Sequence, residues 1–283
     1  PFYINLNNPI DPALYQESWV TITPELPGAR VDVLGSTLQI RGASKGQTTY
    51  TVIISAEVGD IYGQKLGKDA KLTFKVGPAE ARLSGPDNNF VTLDPSQKKP
   101  LLSVYTINFN KLGVKIYSVT PGDFAAFNTF LRERNWENKK RTPPGKLVVD
   151  ENLPIEAAAD SLTQVDIDLS RAFTKKTDAG LPTGHAIVVI EPPVKDQNER
   201  YWQTTFTWVQ VTQIGLDAIT DPGEIVAWTT ALADGKALTG VKLQAGNSSG
   251  VQTAVLGETG KEGLARFPIP DGALFLMASQ GND

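Results

Sequence analysis

Apolar residues recur at every second position through most of this chain, which is the pattern of a half-buried strand. Trp19-Val20-Thr21-Ile22-Thr23 alternates and stops at Pro24. Arg30 to Leu34 ends at Gly35, and Thr37-Leu38-Gln39-Ile40 follows. The run Thr49 to Ile54 is long and β-branched, and Leu72, Phe74 and Val76 share one face. Asp60-Ile61-Tyr62-Gly63 reads as a turn. About seven short strands with closely spaced turn signals predict an immunoglobulin-like β-sandwich over 1–77. Gly77-Pro78 punctuates its end.

The same rhythm continues over 78–211. Strands are expected at 90–93, 101–105, 111–119, 147–149, 162–169, 185–190 and 204–211. One helix interrupts them near 121–134. Thr120 suits its N-cap, Pro121 its first position and Asp123 its first turn. Phe124, Phe127 and Leu131 form its apolar stripe. From 212 to 283 the strands fall at 214–218, 225–230, 241–244, 252–256, 264–267 and 273–278. A sandwich there would want one more edge strand. The fold class is therefore all-β: tandem antiparallel sandwiches with one short helix. The junctions at Gly77-Pro78 and at Thr212-Gln213-Ile214-Gly215 carry no Ser/Gly tract, so a stiff, extended chain is expected.

Composition narrows the function classes. Hydrophobic residues make up 40% and charged ones 20%, an ordinary globular balance that argues against disorder. A net charge of −4 argues against nucleic acid and against an anionic membrane surface. No stretch is long and apolar enough to span a bilayer as a helix. Cysteine is absent, which excludes disulfides, thiolate metal sites and Cys nucleophiles within this chain. The chain starts at Pro1, and its single Met is Met277, so a piece of a longer chain is expected.

Candidate chemistry is sparse. The single His185 opens an apolar strand, and no Gly-x-Ser-x-Gly elbow accompanies it; the alternatives are a structural residue at a strand start and a triad base. Asp166 and Asp168 alternate with Val165, Ile167 and Leu169, so a solvated strand face is favoured over a catalytic pair. Asp60 fits an Asx turn better than a calcium site. Gly180, Gly184 and the Gly246–Gly250 stretch lack phosphate-loop spacing. Asn247-Ser248-Ser249 matches a glycosylation triplet. Arg132, Arg134, Lys139, Lys140 and Arg141 surround Trp136 and form the one basic cluster, diluted by Glu133 and Glu137. Trp19, Trp208 and Trp228 are expected in sandwich cores. No catalytic, cofactor-binding or metal-binding residue is assigned, no cofactor is expected, and no enzyme activity is expected.

Several phrases carry a family resemblance. Thr207 to Leu216 resembles the "V-x-V-T-D-I/L-G-L" domain boundary of bacterial alpha-2-macroglobulins, with Gln213 in place of Asp. Ile225 to Leu243 resembles their "V-W-V-T-D-L-x-T-G-K-P-V-x-G-A-x-V" hairpin, with Leu238 in place of Pro. Glu258 to Phe267 resembles "T-D-x-x-G-x-A-x-F". Asn108 to Tyr117 with Pro121-Gly122-Asp123-Phe124 resembles an early macroglobulin domain, and 1–77 resembles the Ig-like domain near the N-terminus of these proteins. The resemblance implies a scaffold piece of a broad-spectrum protease trap that is periplasmic and lipid-anchored through its parent. Its partners would be the parent's other domains and, through the full-length protein, target endopeptidases; neither nucleic acid nor direct membrane insertion is implied. The family's thioester needs a Cys, which this chain lacks. The alternative is a structural rod of Ig-like modules from a bacterial surface or adhesion protein.

Overall fold

The computed structural model describes residues 1–133, 141–176, 180, 182–194 and 203–283, with the backbone alone for 251–254. The chain divides into two units: Pro1–Ala81 with Ala158–Ser161, and Arg82–Ala157 with Leu162–Asp283.

The first unit is a sandwich of two three-stranded sheets. Its strands are β1 (Phe2–Asn5), β2 (Val20–Thr23), β3 (Arg30–Leu34), β4 (Thr37–Arg41), β5 (Thr49–Ile54) and β6 (Ala70–Lys75). They pair in the orders β1-β4-β3 and β2-β5-β6. Period-two burial aims Ile4, Leu38 and Ile40 of one sheet at Tyr50, Val52 and Ile54 of the other. Each such side chain contributes about 1.5–3 kcal/mol by leaving water. Phe74 pairs with Tyr50 and stacks on Phe2 at 4.7 Å, so the N-terminal strand closes this core. Trp19 ends a 3-10 turn (Glu17–Trp19) rather than lying in a strand, and packs edge-on to Tyr15. Within the same unit, Asp160 accepts from Gln47 Nε2 and from the Ala79 amide, both at 2.7 Å.

The second unit contains two further sandwiches. The first uses β7 (Arg82–Ser84), β8 (Phe90–Thr92), β9 (Leu101–Ile107), β10 (Lys111–Val119), helix α1 (Phe124–Glu133), β11 (Lys146–Pro154), β12 (Thr163–Asp168), β13 (Lys175–Lys176), β14 (Pro182–Glu191) and β15 (Thr205–Val211). The main sheet runs β11-β10-β14-β15-β8, with β13 beside β14, and the second sheet runs β12-β9-β7. Ala186 to Ile190 are all buried, because the main sheet is covered on both faces. Ile187 and Val189 meet α1 through Phe127 and Phe130. The opposite face meets the inward residues Leu102, Val104 and Ile167. The antiparallel expectation has one exception: β8 joins β15 in parallel, pairing Phe90 with Trp208.

Helix α1 starts as expected but buries a shifted stripe. The Thr120 amide and hydroxyl both donate to the Asp123 carboxylate, at 2.8 and 2.9 Å, half of a capping box. A 3-10 turn over Pro121–Asp123 precedes the α-helix, and this rotates the face below it. Ala125, Phe127 and Phe130 are buried, while Phe124 and Leu131 are only partly covered.

The last sandwich comprises β16 (Ile214–Thr220), β17 (Glu224–Ala231), β18 (Lys242–Asn247), β19 (Gly250–Glu258), β20 (Leu264–Pro268) and β21 (Phe275–Ser279). Sheets β16-β17-β20 and β19-β18-β21 enclose Ile225, Ala227, Leu243 and Phe267. Only Thr212 and Gln213 separate β15 from β16. Trp228 is not in this core: Ile225, Ala227 and Thr229 face inward, so period two turns Trp228 to the other face, where it is partly exposed.

Candidate functional site

Where the two sandwiches of the second unit meet there is an open cleft of about 720 Å³. Strand β8, the turn before α1 and strands β14 and β15 supply one wall, with Phe90, Phe124, His185 and Trp208. Strands β16 and β21 supply the other, including Leu216 and Phe275. Trp208 is 1% exposed and sits at the centre of the aromatic packing. Its ring meets Phe124 edge-on at 5.3 Å and Phe127 at 5.6 Å. Phe124 meets Phe275 of the far wall at 5.1 Å. Gly246, paired with Phe275, leaves no room for a Cβ beneath that ring.

His185 lies inside β14 rather than at a strand start, between Val119 and Gln210 of its neighbours. Its Nδ1 accepts from Trp208 Nε1 at 3.2 Å, which fixes the neutral ring with its proton on Nε2. Burial lowers its pKa from 6.5 to about 4, and the Lys175 charge acts in the same direction. A base that accepts from an indole and faces aromatic rings has no nucleophile to serve. The triad alternative for His185 has no Ser and Asp beside it among the described residues.

The remaining candidates stay apart from this cleft. Asp166 and Asp168 lie on the exposed face of β12. Asp166 is held below the ordinary carboxylate range by bonds from Ser103 and Gln164, at 2.6 and 2.8 Å. Asp60 makes the expected turn: Oδ1 accepts from Tyr62 and Gln64 amides, and Oδ2 from Asn8 Nδ2 at 2.6 Å. Burial pushes Asp60 up, but these bonds outweigh it and its pKa is lowered. Asn247 Oδ1 accepts from the Ser249 amide at 2.8 Å and closes the β18–β19 hairpin. Gly180 and Gly184 both carry positive φ in a strand connection, with no helix following. Of the basic cluster, Arg134, Lys139 and Lys140, with Trp136 and Glu137, lie outside the described residues; Arg141 pairs with Glu133. Among the described residues, no group of three His, Cys, Asp or Glu is placed to hold a metal ion.

The quoted phrases have structural work. Thr259 is 3% exposed; its hydroxyl donates to Leu238 O at 2.6 Å and accepts from the Val241 amide at 3.1 Å. Gly263 has φ +71°, and a Cβ there would collide with Thr229 O, which only glycine avoids. Ala265 and Phe267 point into the core. Leu238 donates its amide to Thr229 O at 2.9 Å, a bond that proline could not make. Gln213 donates its side-chain amide to Pro95 O at 3.2 Å, which an Asp could not do. Thr259→Val should remove both Thr259 bonds and cost about 1–3 kcal/mol, read as a lower denaturation midpoint. An unchanged midpoint would show that these bonds add nothing.

Known structures share this arrangement. A crystal structure of native Escherichia coli alpha-2-macroglobulin spanning domains MG0-NIE-MG1 aligns over 99% of this chain and 88% of that one, with a TM-score of 0.57 and 15% identity. The fold is that of bacterial alpha-2-macroglobulin domains. A Salmonella alpha-2-macroglobulin point mutant aligns over 98% of this chain at a TM-score of 0.59 and 17% identity, and there this chain spans 16% of the larger molecule. In sequence, a Dictyostelium discoideum protein named Circularly permutated Ras protein 2 is 23% identical over 302 aligned residues. That alignment takes in 86% of this chain but only 8% of the relative's length. No family model matches the sequence.

The alpha-2-macroglobulin likeness accounts for features that sequence reasoning missed. The aromatic cleft is built by residues distant in the chain, Phe90, Phe124 and Phe275, so no local motif announced it. A faint signal was available in Gly246, a lone glycine inside an expected strand run, which often marks the close approach of another group.

Proposed function

We propose that this chain is a non-catalytic scaffold segment of a bacterial alpha-2-macroglobulin-like, broad-spectrum protease inhibitor, carried by a periplasmic, lipid-anchored parent. The observation that carries this reading is the fold alignment to domains MG0-NIE-MG1 over 99% of the chain. The phrases at 207–267 support it, because their matched residues Thr259, Gly263 and Phe267 hold the last sandwich together. The role of the chain is mechanical: its sandwiches position other domains, and protease capture belongs to the parent.

The isolated chain is expected to leave trypsin activity unchanged at equimolar concentration, on both small and protein-sized substrates. A parental-length protein is expected to protect protein-sized substrates after being cut itself. Inhibition by the isolated chain would overturn the scaffold role. Failure of the parental-length protein to protect any large substrate would overturn the inhibitor reading and favour the structural rod.

A further inference from the structure

The cleft contains a titratable group that scaffolding does not require. His185 holds Trp208 through a bond that exists only while Nδ1 is unprotonated. Trp208 in turn braces Phe124, and Phe124 reaches Phe275 across the cleft. These three rings join the sandwich of β7–β15 to that of β16–β21, both within the second unit.

We infer that His185 is a pH-sensitive latch on this aromatic seam: protonation at Nδ1 sets two donors face to face, releases Trp208 and loosens the grip of Phe124 on Phe275. Nothing covalent changes; one proton moves from solvent to the ring. The groups that face His185 set the conditions. From β13, Lys175 opposes a second positive charge. Tyr117 lies along β10 on the same face, its own pKa raised by burial. Asp123 is turned back on Thr120. Across the cleft, Asp283 is the one acidic group of the lining; burial raises its pKa against the bond from the Gln213 amide. Val119, Gln210, Phe124 and Pro121 bring no charge. The surroundings therefore delay protonation of His185 until well below neutral pH, and the latch stays shut at pH 7.

The latch predicts concerted movement. In protein labelled with nitrogen-15 at Trp and Phe, the Trp208 indole signal, assigned with W208F, should shift between pH 6 and 3.5. Its midpoint should match that of the His185 ring protons, near 4. The Phe275 amide should move with it. H185N supplies a side-chain oxygen as acceptor but does not titrate, so both signals should stay still over that range; H185Q serves if H185N is unfolded at pH 7 by circular dichroism. D283N should keep the wild-type behaviour. A shift that persists in both His185 variants overturns the inference, as does a Phe275 amide that stays fixed while His185 titrates.

Discussion

Trp208→Ala is expected to lower the stability of the second unit by about 3–5 kcal/mol, the range for deleting a large buried aromatic. The side chain is 1% exposed and contacts Phe124, Phe127 and His185, so truncation opens a cavity and removes a hydrogen bond at once. The loss falls where β8, β15 and α1 converge, on rings that cannot collapse into the gap without leaving the seam to Phe275. Trp228→Ala is the internal control. Trp228 sits on the outward face of β17, and its loss should cost about 1 kcal/mol or less. Urea unfolding of both variants decides the matter. Equal shifts would mean that the two faces of β17 have been assigned the wrong way round, and a small shift for Trp208 would mean that its neighbours repack.

The contrast between these two tryptophans shows how far the sequence could be read. Both lie in alternating runs of strand formers, and alternation alone does not say which phase faces the core. For β17 the answer comes from Thr229, a polar residue buried because its hydroxyl donates to Leu238 O at 3.0 Å. Counting Thr229 as outward placed Trp228 inward. Strand existence was legible because period two follows from backbone geometry. Most expected strands recur within one or two residues, β5 over Thr49–Ile54 among them. The brief strands β7 and β13 were missed, since three residues or fewer carry no period. The helix was found by its cap, but its stripe was misplaced by the 3-10 turn. The parallel pairing of β8 with β15 joins residues more than a hundred positions apart, and nothing local encodes it. His185 was legible as an isolated residue without partners for catalysis. Its bond to Trp208 was not, because only the register of β14 against β15 brings the two rings together.

The pH dependence of stability should carry the mark of His185. In the unfolded chain its pKa is near 6.5, and in the folded chain burial, with Lys175, lowers it to about 4. The folded state thus binds fewer protons than the unfolded state throughout that interval, so stability falls as pH falls. The contribution is fully present above pH 6.5, is lost progressively between 6.5 and about 4, and does not change further below that. A difference from 6.5 to about 4 corresponds to roughly 3 kcal/mol. Carboxylates with lowered pKa, such as Asp166 and Asp94, lose their own contribution as pH falls through the ordinary Asp range and below. The His185 share is therefore best read as wild type minus H185N, from urea midpoints at pH 7.5, 5.5 and 4.5. Wild type should lose more stability than the variant over this range, most of it between pH 6.5 and 4.5. Parallel curves would place the folded pKa of His185 near its ordinary value. That result would mean that water reaches the ring, and the bond from Trp208 would then add little to the seam.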